Sequence, residues 1–233
     1  MASSVAFDEV RNSLSSSTSA DATSTYSVGT SRGTIIYTLV RTSWLPKRNR
    51  FCGSDRGRIA NRAGGDLFIS VHVNAASPTW RDPASARGFE TYFLAEAKTE
   101  DARRVEHMEN EAVQYEDAPS NLGKNDPLSF IFSDMIQNEH LRESSDLADV
   151  IQRRLGRIHP GPSRGVKQAG FRVLVTAYMP AVLVEIGFGT NAREATFLQA
   201  ADKQSTIANA IADAAMEYLQ RYDRRVTGGG PTQ

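Results

Sequence analysis

Apolar residues in this chain fall into short runs separated by polar or periodic stretches. The densest run is in DLFISVHVNAA, residues 66–76, where Leu67, Phe68, Ile69 and Val71 are interrupted only by Ser70. Such a run predicts a strand buried on both faces of a parallel sheet. GTIIYTLVRTS (33–43), GFETYFL (88–94) and AVLVEIGFG (181–189) have the same β-branched and aromatic content, and they predict further strands. VAFD (5–8) reads as one more short strand.

Between these runs the periodicity becomes helical. DRGRIANRAG (55–64) reads as a short helix stopped at Gly64 or Gly65. Thr99 caps a charged helix running to about Tyr115. APSNLGKND (118–126) is a loop, and Asp126 with Pro127 starts a helix that continues to Leu155. Leu128, Phe132, Met135, Leu147, Ile151 and Leu155 form its apolar face, with a possible break over 138–143. HPGPSRG (159–165) reads as a loop and leads into FRVLV. A last helix over about 192–222 buries Ile207, Ile211, Ala215 and Tyr218 or Leu219, ahead of a flexible tail at 224–233. Strands alternating with helices predict a single α/β domain, its central, mainly parallel sheet carrying helices on both faces.

Composition adds exclusions. The chain has 233 residues, 27 basic and 27 acidic, so its zero net charge gives no sign of a nucleic-acid partner. A single cysteine, Cys52, excludes an intrachain disulfide and a thiolate-rich metal site. No apolar run is long enough for a membrane span, and no secretory signal is visible at the N-terminus. Residues 11–50 differ from the rest: 16 of these 40 are Ser or Thr, and SLSSSTSADATSTYS reads as low-complexity and poorly ordered. The domain reading is therefore a divergent region over 1–54, an α/β unit over 55–223 with an insertion at about 95–126, and the tail.

In open α/β sheets, ligands sit beyond the carboxyl ends of strands. His72 lies near the end of one predicted strand and Glu185 within another. A carboxylate among Val182, Leu183, Val184, Ile186 and Phe188 is costly to bury unless paired. It reads either as a structural ion pair or as a general base or metal ligand, and His72 reads either as a core histidine or as a ligand. His107 and His140 sit in charged helical stretches and read as solvated, and His159 precedes a turn.

Several segments together resemble the zinc-dependent N-acetylmuramoyl-L-alanine amidases. They are RIANRAGGDLFISVHVNAA, GFETYFL, ESSDLADVIQRRL, GVKQAGFRVLVTAYMPAVLVEIGFGTN and IANAIADAAMEYL, spanning roughly 56–222 in the family's order. The resemblance implies hydrolysis of the amide between N-acetylmuramic acid and L-alanine of peptidoglycan. It implies a Zn²⁺ held by two histidines and a glutamate, with His72 as one ligand and Glu185 as the catalytic acid/base. It also implies a loop at GVKQ beside the site, where Lys167 and Gln168 contact substrate. Asn74 is assigned to the strand end or to support of His72. A periplasmic or extracellular location is implied, with peptidoglycan and a protein activator as partners. In some relatives a helix in the region of 95–126 covers the zinc. TEDARRVEHMENEAVQYE would do this through Glu106 or Glu111, or else it is a solvated surface helix.

The N-terminal part departs from the family. No histidine precedes His72, and no glutamate lies between Glu9 and Glu90, so two zinc ligands have no match. Three readings remain: a non-catalytic relative that binds peptidoglycan or a cell-division partner, an out-of-frame stretch over 9–54, or substitution by Asp8, Glu9 or Asp21. With one histidine and a remote carboxylate, zinc binding is expected to be poor and amidase activity weak or absent.

Overall fold

The computed structural model describes residues 23–30, 33–40, 53–112 and 127–227, with side chains over 56–111 and 140–227. Six strands form one sheet: β1 (Thr23–Thr30), β2 (Gly33–Val40), β3 (Leu67–Asn74), β4 (Phe89–Leu94), β5 (Ser163–Ala169) and β6 (Ala181–Phe188). Their spatial order is β1-β2-β3-β6-β4-β5. The β2–β3, β3–β6 and β4–β5 pairings are parallel, and β1–β2 and β4–β6 are antiparallel. The helices are α1 (Gly53–Arg62), α2 (Glu100–Ala112), α3 (Pro127–Leu155), α4 (Arg172–Val175), α5 (Ala192–Gln199) and α6 (Ala201–Thr227).

The sheet carries a packed layer on each face, as the alternation of side chains along a strand requires. Leu67, Ile69, Val71, Val182 and Val184 meet Leu147, Ile151 and Leu155 of α3 and Ile207, Ile211 and Ala215 of α6. Phe68, Tyr92 and Leu183 meet Ala60 of α1, Ala102 and Val105 of α2, and Val173 and Leu174 of α4. The expected α/β architecture is therefore present.

Local signals explain most boundaries. Gly64 has φ 62°, and the Gly65 N–H donates to the Ala60 carbonyl, so α1 ends in a left-handed turn. Thr99 Oγ1 accepts from the Ala102 N–H at 3.1 Å and starts α2. Asn191 caps α5 by accepting from the N–H groups of Arg193 and Glu194.

Some expectations are corrected. Part of the Ser/Thr-rich stretch is a strand, β1, because β2 offers it a pairing edge. GVKQ is not a loop: it lies within β5, an edge strand paired to β4. FRVLV, which the sequence left unassigned, contributes the single-turn helix α4. Helix α3 passes through 138–143 without a break. The last helical stretch is interrupted at Ala200, and α6 then continues to Thr227. VAFD, APSNLGKND and the Asp126 cap lie outside the described residues, as do Asp8, Glu9 and Asp21.

Helix α1 depends on close approach at Gly57. A Cβ there would lie 2.5 Å from Thr176 Oγ1 and 2.8 Å from the Ala177 nitrogen. Gly57→Ala is expected to destabilise the fold by about 1–3 kcal/mol, read as a lower urea midpoint at unchanged slope.

Candidate metal centre

Alternation along β3 places Ser70, His72 and Asn74 on the face away from α3 and α6. On β6 the same face carries Glu185, and on β4 it carries Glu90 and Tyr92. His72 is in register with Glu185, and Glu185 with Glu90. Three ionisable side chains therefore stand side by side on three adjacent strands. Helix α2 lies over them, with Ala102 and Val105 buried. Glu109 falls one turn after Val105, so it is delivered to the same seam.

The contacts there are close. His72 Nδ1 lies 2.7 Å from Glu109 Oε2, and His72 Nε2 lies 2.7 Å from Ser70 Oγ. The Nδ1–Oε2 contact lacks hydrogen-bond direction. The Ser70 hydroxyl can either donate to Nε2 or accept from it. An imidazole nitrogen and a carboxylate oxygen 2.7 Å apart share a positive charge, either a proton or a metal ion. Glu185 is fully buried, and neither of its oxygens has a hydrogen-bond partner among the described residues. Burial first, then the charges of Glu109 and Glu90, push its carboxyl well above the usual carboxylate range, against a smaller opposing effect of Arg104. For Glu109, burial acts upward, but His72 and then Arg56 outweigh it and hold the carboxyl low.

One imidazole nitrogen and two carboxylate oxygens, from His72, Glu109 and Glu185, lie within 4.8 Å of one another. A buried imidazole beside two carboxylates, one of them without a hydrogen-bond partner among the described residues, is a donor set that fits a divalent metal ion.

A second network adjoins the first. Glu90, fully buried, accepts from Asn74 Nδ2 at 2.9 Å, from Arg164 Nε at 3.0 Å and from Lys167 Nζ at 2.5 Å. Asn74 thus supports Glu90, and its carbonyl accepts from the Gly189 N–H, joining the ends of β3 and β6. Lys167 comes to the cluster. Gln168, the next residue on β5, points elsewhere and donates to the Glu96 carbonyl.

The solvated-helix reading of α2 is overturned by its buried Ala102 and Val105, and Glu109 replaces Glu106 and Glu111 as the residue that reaches the site. Glu106 lies by Gly170, and exposed Glu111 pairs with His107. The spacing Ala102, Val105, Glu109 (i, i+3, i+7) was the sequence signal for this. His159 is also buried, but it packs between Phe89 and Phe197 on the opposite side of the sheet.

Comparison with known proteins gives the family. The N-acetylmuramoyl-L-alanine amidase AmiA of Escherichia coli K12 is 30% identical over 173 residues, covering 73% of this chain and 58% of AmiA. The amidase AmiC of Neisseria meningitidis serogroup B is 32% identical over 167 residues, covering 70% of this chain and 38% of AmiC. The chain thus spans little more than half the length of the first and less of the second. Among solved structures, an N-acetylmuramoyl-L-alanine amidase from Clostridium difficile 630 aligns with TM-score 0.49 and 22% identity, over 73% of this chain and 66% of its own. The sequence model of the Amidase_3 family matches residues 30–217, from the end of β1 into α6. On that match the chain belongs to the N-acetylmuramoyl-L-alanine amidase family.

Proposed function

We propose that this chain is a zinc hydrolase of the amide between N-acetylmuramic acid and L-alanine in peptidoglycan, held by α2 in a closed form of low activity. The observation that carries this reading is Glu185, a fully buried carboxylate with no hydrogen-bond partner among the described residues, in register with His72. Buried carboxylates whose charged form is disfavoured cluster at functional sites, where chemistry offsets their cost in stability.

His72 and Glu109 would hold the zinc, with Glu185 alongside. Bound there, zinc would polarise the scissile carbonyl and lower the pKa of a water. Glu185 would accept the proton of the attacking water and return it to the leaving amine, a role its raised carboxyl suits. Ser70 fixes the ring of His72 through Nε2. Lys167 contacts substrate, and Asn74 holds Glu90 beneath it. Glu109 supplies the nearby carboxylate that the sequence reading lacked, so zinc binding is expected after all. It also fills the space substrate needs, so activity stays low. The catalytic unit is read as 55–223, with α2 in its insertion. Peptidoglycan is the substrate, a protein activator would displace α2, and the working location is outside the cytoplasm. No helix among the described residues is long and apolar enough to cross a membrane.

The unmatched family ligands favour a second reading, a module that binds peptidoglycan without cutting it. Dye release from labelled, purified peptidoglycan separates the two, with Glu185→Gln as control. Release that depends on Glu185 supports the hydrolase. Wall binding with no release, unaffected by the substitution, supports the module.

A further inference from the structure

We infer that Arg164 and Lys167 form a carboxylate-binding subsite beside the metal centre, which takes a stem-peptide carboxylate of the substrate and which Asp101 of α2 fills in the closed form. This rests on the amidase reading above and adds a specificity to it.

The charges motivate the assignment. Two cations, Arg164 and Lys167, stand over one buried carboxylate, Glu90, which Asn74 also holds. That leaves one positive charge to be met from outside the sheet. Asp101 Oδ2 meets it, at 2.8 Å from Arg164 and 2.6 Å from Lys167. Arg104 of the same helix is 3.5 Å from the other Asp101 oxygen.

The two cations do not depend on α2 for their positions. Glu90 anchors both from below. The Arg164 guanidinium lies 5.2 Å from the Phe188 ring centre, and the Lys167 ammonium 5.9 Å from that of Tyr92. If α2 moves away, the pair stays in place with one unmet charge. Asp101 presents a carboxylate on a short stem, so the group it stands in for is a carboxylate.

Position supports the same ligand class. β5 is two strands from β6, roughly 10 Å at the usual strand spacing. About three extended residues cover that distance. A peptide whose scissile bond lies by Glu185 would bring a carboxylate near its second or third residue to Arg164 and Lys167.

Asp101 and Glu109 are therefore two latches on one helix. Asp101 occupies the position of a substrate carboxylate, and Glu109 closes the metal centre. Asn110 adds a third tie: its side chain donates to the Gly170 carbonyl and accepts from the Arg172 N–H.

The test measures binding of N-acetylmuramoyl-L-alanyl-D-glutamate and of its diamide by calorimetry. All variants carry Glu185→Gln so that the ligand stays whole, and Glu109→Ala so that Asp101 is the remaining latch. With Asp101→Asn added, the acid should bind about 10- to 100-fold more tightly than the diamide, as expected for a charge-assisted pair. With Asp101 present the preference should largely vanish, and Arg164→Gln with Lys167→Gln should abolish it. Asp101→Ala, run in parallel with a circular-dichroism check of folding, guards against an Asn-specific artefact. Equal affinity for acid and diamide in both folded Asp101 variants overturns the subsite, as does binding of neither, or acetate binding as tightly as the acid. The amidase reading fails on a separate result, absence of Glu185-dependent dye release from wall.

Discussion

Glu109→Ala, assayed at saturating zinc, is expected to raise dye release from purified peptidoglycan by about tenfold or more, while weakening zinc binding by about 10- to 100-fold. Both effects follow from one contact. Glu109 Oε2 lies 2.7 Å from His72 Nδ1, so it shares whatever cation the imidazole holds. Removing it costs the metal a donor, and it also frees the space above Glu185. Turnover per zinc-loaded chain therefore rises although zinc is held less firmly. Helix α2 stays seated through Ala102, Val105 and Asp101, so the substitution acts on the site and not on the fold. If release is unchanged or lower when zinc occupancy is matched, Glu109 does not close the site.

The second large effect is at Glu185. On the Glu109→Ala background, Glu185→Gln should cut release by about 100- to 10,000-fold, the range for loss of a general acid/base. A stability measurement made on metal-free protein gives an effect of opposite sign. Glu185 is fully buried without a hydrogen-bond partner among the described residues, near the carboxylates of Glu109 and Glu90. Glu185→Met should stabilise the metal-free fold by about 1–3 kcal/mol, as an unpaired polar group is replaced by an apolar one. Loss of release together with a higher urea midpoint identifies a residue kept for chemistry. A lower midpoint for the Met variant would instead mark Glu185 as a structural ion-pair partner.

Much of the site could be read along the chain because it lies on the most apolar strands. His72 and Glu185 each interrupt such a run, and equal depth in two parallel strands made them neighbours. β5 was missed because SRGVKQA has almost no apolar alternation. An edge strand over a polar cluster needs none, since Arg164 and Lys167 are paired with Glu90. The break at Ala200 gives little signal, because alanine favours helix on both sides of it. Glu109 was passed over in favour of Glu106 and Glu111 because α2 is so charged that its narrow buried seam was not used to set the phase. The role of Asp101 could not be read at all, since its partners are 63 and 66 residues away in the chain.

Zinc content tests the central claim most directly. Purified chain dialysed against limiting zinc should retain one zinc per chain. His72→Ala should lose it, and His159→Ala, which alters the buried histidine on the far side of the sheet, should keep it. A chain that retains no zinc, or a His72→Ala variant that retains it, would contradict the assignment of His72, Glu109 and Glu185 as the metal centre.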